Sequence, residues 1–379
     1  MKILIVAPLH YPEELAKVRA TTPPGEPLPL FPPNMAQSFW VKAYRTLGHE
    51  VHAFYRSESA IPGLRRISHH RLVRGISQRV PDFNPDYRLR NRRLLATARA
   101  IQPDVVLITG DNEEIYPRTL ARIKAETGAT LVYATGTSPI VFSHANERRA
   151  APLLDLVTVN DYYHGIQWLE LGAKHMICLP NVACDPDFHR SIELTADETA
   201  RYACDVGFVG TLVPANLYGR RVRGLEALRD FDLGIWSVHP VPESLRPHLR
   251  GRALGEQMLR VLSAAKIAVN IHGDFMRYGG NMRLFELAAI GVFQIVDDLP
   301  GIREWFTPGE NIVTYTDEAD LREKVAYYLA HPEERAAITA AAQAHAHANH
   351  TYLGRMARLM DEVTRLRRYS HTRQSSDDR

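Results

Sequence analysis

The stretch from Leu262 to Glu304 constrains this chain most, because it reads as strand, glycine-rich loop, helix, strand and second loop in unbroken succession. Ala265 to Ile271 (AKIAVNI) is short, apolar and rich in β-branched residues, the composition of a parallel strand buried on both faces. His272 to Asn281 (HGDFMRYGGN) holds three glycines and continues neither a strand nor a helix, so it is expected to be a loop that brings backbone close to something. Asn281 is placed to cap a helix over Met282 to Ile290, which Gly291 stops. Val292 to Val296 reads as the next strand, and Asp297 to Gly301 as a loop at its carboxyl end, where open α/β sheets bind ligands.

Such a loop feeding a helix N-terminus presents unpaired N–H groups and the positive end of the helix dipole, which together suit a diphosphate. Candidate binding residues are therefore His272, Tyr278, Gly279, Gly280 and Asn281, with Arg283 adding charge. Glu286, three residues beyond Arg283 on the same helical face, can accept hydrogen bonds from ribose hydroxyls. Spacing alone leaves open a second reading, in which loop and helix merely pack and Arg283 and Glu286 form a solvated pair.

A chain of 379 residues accommodates two α/β domains with separate cores. Its 45% hydrophobic and 23% charged residues are ordinary for a soluble protein. No stretch approaches a membrane span, and Met1 to Leu9 reads as a first strand without a cleavage site, so a cytoplasmic protein is expected. Cys178, Cys184 and Cys204 lack metal-ligand spacing and read as reduced structural thiols; no metal or cofactor is expected. A formal charge of +3 is too small to mark a nucleic-acid binder.

Lys2 to Ala7 is a hydrophobic strand followed by a long proline-rich loop from His10 to Pro33. A dinucleotide fold needs G-x-G-x-x-G directly after that strand; the chain has APLHYP, which removes the main support for hydride transfer. Met35 to Leu47 is an amphipathic helix and Val51 to Tyr55 a second strand. Leu64 to Arg93 carries nine arginines against Asp82 and Asp86, which suits either an anionic acceptor, the headgroups of a membrane surface or a merely solvated face. Asp104 to Thr109 is a strand ending in Gly110, so Asp111 and Glu113 stand where a base or acceptor contact is expected, while Glu113 and Glu114 also suit a helix start. His10 has the right kind of pKa for a base, although a lone histidine is more often structural.

Ile177 to Phe188 reads as the linker between a domain over 1–180 and a second over 181–350. The second opens with the strand Cys204 to Val209, then Gly210 and Thr211 and a helix over Val222 to Arg229. Gly210 can let a diphosphate approach the backbone while Arg220 or Arg221 neutralises it; a plain basic helix start is the alternative. A long helix over Thr351 to Leu366 closes the chain ahead of a polar tail from Ser370, expected to be disordered.

The run NMRLFELAAIG, the later DLPGIREWFTPGENIVTYTD, the segments LAHPEER and HTYLGRM, and the strands CDVGFVGT and PDVVLI with the linker LPNV resemble CgeB-like glycosyltransferases, relatives of the group 1 GT-B transferases. The resemblance implies an α/β GT-B enzyme with two Rossmann-like doubly wound parallel-sheet domains facing across a cleft. It implies a nucleoside diphosphate sugar donor on the C-terminal domain, an unidentified acceptor on the N-terminal one, a terminal helix over 351–369 crossing back, no metal, and retention of configuration. Glu286 matches the second glutamate of the wider clan's E-x7-E motif, which similarity assigns to ribose; Tyr278 stands where the first is expected. That departure keeps two alternatives in view, a catalytically silent nucleotide- or glycan-binding protein and a sugar-nucleotide epimerase.

Overall fold

A computed structural model describes the chain except Ala60, His69, Pro81, Asp82, Phe142, Asp378 and Arg379. The acidic Asp82 of the arginine-rich stretch therefore lies outside the described residues.

The chain divides into two compact units, residues 1–181 joined by the chain from Arg355 onward, and Val182–Gly354. The first is built on β1 (Lys2–Ala7), β2 (Glu50–Tyr55), β3 (Val105–Thr109), β4 (Thr130–Thr135), β5 (Leu156–Val159) and β6 (Met176–Cys178). These form one parallel sheet in the order β2-β1-β3-β4-β5-β6. Central strands are buried on both faces, Ile3 to Ala7 and Val105 to Thr109 throughout, which is why they read as unbroken apolar runs.

The second unit repeats the plan with β7 (Cys204–Val209), β8 (Leu233–Trp236), β9 (Leu249–Gly251), β10 (Ala265–Asn270), β11 (Gln294–Asp297) and β12 (Val313–Tyr315). Its parallel order is β12-β11-β10-β7-β8-β9, so the winding reverses between β7 and β10. In the first unit the reversal falls between β1 and β3. Both units are thus doubly wound α/β layers, in which the loops leaving the two strands at the reversal border the natural ligand crevice. Period-two alternation builds two cores around the second sheet: Ile267, Val269 and Ile271 join one cluster, Ala268 the other.

Three boundaries differ from the sequence expectation for identifiable reasons. The strand after Gly291 starts at Gln294 because Val292 still belongs to the helix end: its N–H donates to Leu287 O at 3.1 Å while Gly291, at φ 79°, donates to Ala288 O. The Val222 to Arg229 helix spans Ala215–Glu226, with non-helical Tyr218 inside it. The closing helix runs Tyr352–Asp377, past Ser370, since neither glycine nor proline interrupts it there.

The arginine-rich stretch folds as three helices, Pro62–Ser68, Arg71–Arg79 and Pro85–Ile101. Not all of its charge faces water. Arg90 is wholly buried, paired with the equally buried Asp86 and donating to Arg56 O at 2.8 Å. No described helix is both long and apolar enough to cross a membrane. The three cysteines form no disulfide among the described residues, and burial pushes the Cys204 thiol up to about 12.

Candidate functional site

Two helices start beside the reversal point of the second unit, and their N-termini differ. The Ala215–Glu226 helix is interrupted at Tyr218, and Asp274, from the loop after β10, accepts the N–H groups of Gly219 at 2.6 Å and Arg220 at 3.1 Å. A carboxylate of the protein itself thus fills that helix start.

The Met282–Ile290 helix is capped more sparingly. Asn281 Oδ1 accepts from Leu284 N at 2.9 Å, while Asn281 Nδ2 donates to Asn270 Oδ1 at 2.8 Å. Ahead of the cap, Gly279 and Gly280 sit at φ 118° and 88°, a region closed to most side chains. Both glycines are buried, yet neither N–H finds an acceptor among the described residues, nor do those of Met282 and Arg283. Buried donors are nearly always paired, so the two glycine N–H groups stand out, whereas those of Met282 and Arg283 belong to the first helical turn, whose donors have no intrahelical partner. Asn270 Nδ2, buried at the end of β10, is likewise unpartnered.

The neighbouring side chains hold this loop in place. His272 is fully buried; its Nε2 accepts the Asn281 N–H at 3.3 Å, so Nδ1 carries the proton and donates to Asp297 Oδ1 at 2.7 Å. Burial pushes Asp297 up, but His272 and Arg220 more than offset it and its pKa lies below the usual carboxylate range. His272 therefore positions the cap, in place of the direct ligand contact expected of it. Gly301 donates to Tyr278 O at 2.8 Å, and a Cβ there would lie 2.6 Å from the Tyr278 ring, so only glycine lets the two loops meet. The Tyr278 hydroxyl donates to Glu304.

Arg220 and Arg221, expected to neutralise a diphosphate, both bond to the loops around them. Arg220 reaches Asp297 at 3.1 Å, Asp274 at 3.2 Å, and the carbonyls of Gly273 and Met276 at 2.7 and 2.6 Å. Arg221 donates to Ile271 O at 2.6 Å and Thr211 O at 2.9 Å, joining the loops that leave β10 and β7, and lies 4.7 Å over the Tyr218 ring. Burial pulls its pKa down to about 10, so it stays charged at neutrality. Gly210 donates to Trp236 O, and a Cβ there would lie 2.8 Å from the Phe208 ring; its glycine answers to packing.

Arg283 and Glu286 form an ion pair, and Glu286 is only 4% exposed, so the solvated-pair reading does not describe it. Its other oxygen lies 3.6 Å from His189 Nε2. Asp185 N donates to His189 Nδ1 at 2.9 Å, which leaves Nε2 as the protonated nitrogen facing Glu286. Burial pushes the Glu286 carboxyl up; Arg283 and His189 together bring it below its ordinary value. A buried, ionised carboxylate therefore stands one turn inside an open helix N-terminus.

In the first unit, His10 and Asp111 follow β1 and β3 and so flank its reversal point. Burial raises the Asp111 pKa against the pull of Arg56, His144 and His10. Surrounding protein and Arg56 lower that of His10, leaving a neutral imidazole at pH 7 although its edge meets solvent. Glu113 is not free: Arg74 grips it with two bonds of 3.1 and 2.9 Å, which argues against the base role expected of it.

Sequence reading missed His189, Asp274 and Asp297 as site residues. The two aspartates sit in loops already marked by glycine and proline, HGDF and DDLPG, a usable signal. Nothing in the sequence tied the distant His189 to Glu286.

Three comparisons bear on this geometry. The sequence profile of the glycosyl transferase-like family matches residues 220–361, which contain the whole loop and capped helix. Spore protein CgeB of Bacillus subtilis is 34% identical over 97 residues, 23% of this chain; the chain matches 29% of that protein's length. By fold, HepE of Anabaena, solved with UDP-glucose, superposes with a TM-score of 0.61 at 14% identity over 96% of this chain and 99% of that one. Sucrose-phosphate synthase of Thermosynechococcus elongatus gives 0.62 at 12% identity, over 97% and 99%.

The fold is GT-B, two Rossmann-like doubly wound units in one chain. Over 220–361 the chain is similar to the glycosyl transferase-like family, and over 97 residues it resembles CgeB.

Proposed function

We propose that this protein is a glycosyltransferase that moves a sugar from a nucleoside diphosphate sugar to an acceptor, with the diphosphate seated on Gly279 to Arg283. The carrying observation is the contrast between the two helix starts: Asp274 fills one, while four N–H groups at the other have no partner among the described residues. In the reaction the bond from the anomeric carbon to the β-phosphate oxygen breaks, and a bond from the acceptor oxygen to that carbon forms. The acceptor proton passes to a base, and the departing diphosphate is stabilised by the N–H row, the helix dipole and Arg283 without a metal. Glu286 accepts from the ribose hydroxyls. UDP is the probe of choice because HepE was solved with it. We assign retention of configuration from kinship alone, to be read from the product anomer by NMR. His10 and Asp111 are the acceptor-side base candidates; normal turnover in both His10→Ala and Asp111→Asn removes them from that role.

The test is incubation of the purified protein with UDP-glucose and other nucleoside diphosphate sugars, following free nucleoside diphosphate. Release that vanishes in Gly280→Val supports transfer. Tight UDP binding with no release from any donor supports a second reading, a nucleotide-binding GT-B protein without catalysis. That reading is favoured by Tyr278, which places a phenol bound to Glu304 where the clan's first glutamate is expected.

A further inference from the structure

An amphipathic helix on a folded protein normally turns its apolar stripe inward and its charges outward. The Arg71–Arg79 helix does the reverse. Leu72 and Ile76, with Val80 one turn further on, fall at i, i+4 and i+8 and are 70%, 42% and 50% exposed. The face turned to the protein carries Arg74, fixed to Glu113 by two hydrogen bonds. Ile61, Ile67 and Phe83 in the flanking segments are exposed as well. Arg71 and Arg79 border the stripe and Arg66 is exposed nearby, while Asp86, the described acid of this stretch, is buried against Arg90.

We propose that this helix lies on an anionic lipid membrane, with Leu72, Ile76 and Val80 in the headgroup–acyl boundary and Arg71 and Arg79 at the phosphates. Two features select a lipid surface over a soluble polyanion. A polyanion offers nothing to three aliphatic side chains, whereas a leaflet takes up apolar area and basic charge together. The stripe also faces outward while Arg74, on the other side of the helix, is bonded to Glu113. Single exposed aliphatics need no explanation; a helical row of them bordered by arginines does.

The experiment is co-sedimentation of the full chain with vesicles of phosphatidylcholine alone and with about one part phosphatidylglycerol to three of phosphatidylcholine. Binding to the anionic vesicles only is expected. Arg71→Glu with Arg79→Glu should weaken it by about 25-fold or more, at roughly five-fold per lost basic charge. Leu72→Ser with Ile76→Ser and Val80→Ser should weaken it by roughly tenfold or more. Both variants should melt like the wild type and keep its UDP affinity in solution, since all five side chains belong to the first unit. Absence of binding to either vesicle overturns the proposal. So does full binding by the triple serine variant, which would leave a plain electrostatic face, or equal retention on heparin and vesicles, which would indicate a polyanion site. A dimer that the triple serine variant dissociates, without vesicle binding, would assign the stripe to a second copy and equally overturn it.

Discussion

Asp274 holds Arg220 twice, its Oδ1 accepting the backbone N–H at 3.1 Å and the guanidinium Nε at 3.2 Å. One side chain thereby caps the helix from Gly219 onward and fixes the arginine that ties the Gly273 and Met276 carbonyls. Asp274→Ala is expected to lower stability by about 1–2 kcal/mol, the usual worth of a lost N-cap, and Asp274→Asn to recover more than half of it. Thermal unfolding of the three proteins measures this; an alanine variant as stable as wild type would mean the cap carries no weight.

Glu286 is expected to act through its charge. Glu286→Gln keeps the shape but loses charge-assisted hydrogen bonds, roughly twice as strong as neutral ones. UDP binding should weaken, and by more than binding of its 2′,3′-dideoxy analogue. The folded-state pKa is depressed, so the ionised form is favoured above the ordinary carboxylate range and is lost as pH falls through the depressed value. Wild-type affinity should accordingly hold from neutrality into mild acid. Equal losses for the two nucleotides would place Glu286 elsewhere than at the ribose.

The buried pair of Asp86 and Arg90 is predicted to be a strict stability element. Removing the carboxylate alone leaves a guanidinium uncompensated at zero exposure, so Asp86→Ala should cost about 3–5 kcal/mol. Adding Arg90→Met should restore part of that. A single variant within 1 kcal/mol of wild type, roughly the scale of an exposed pair, would show the charge to be solvated.

Glu147 titrates in a useful window. Burial raises its pKa from 4.5 to about 6, while the Tyr133 hydroxyl donates to it. The folded carboxyl thus binds its proton more tightly than the unfolded one, and stability falls as pH rises between those values, by about 2 kcal/mol. Glu147→Gln lacks that fall. Its stability relative to wild type should therefore improve by about that amount between pH 4 and pH 7 in urea unfolding. A difference flat with pH would show that the carboxyl does not change pKa on folding.

The organising stretch was legible because local rules settle it: Asn281 caps the Met282–Ile290 helix and Gly291 ends it, as composition alone predicts. Alternating strands and helices likewise imply two doubly wound sheets. What sequence could not supply was side-chain commitment. Arg220, Arg221 and Glu113 look like free functional charges in one dimension, and tertiary partners consume all three. The Arg71–Arg79 helix lies in a stretch that reads from its arginines as a basic surface, and that Leu72 and Ile76 also face outward shows only in the fold. His189 reaches Glu286 only through the path of the chain after the first unit, which no spacing rule encodes.

The proposed seat of the diphosphate is the helix N-terminus at Gly279 to Arg283. Titration calorimetry of UDP and of uridine against wild type and Arg283→Ala tests it most directly. The variant should lose about tenfold or more in UDP affinity, the worth of one charge-assisted contact, while its uridine affinity stays within about twofold. Equal weakening of both ligands, or unchanged UDP binding, would contradict it.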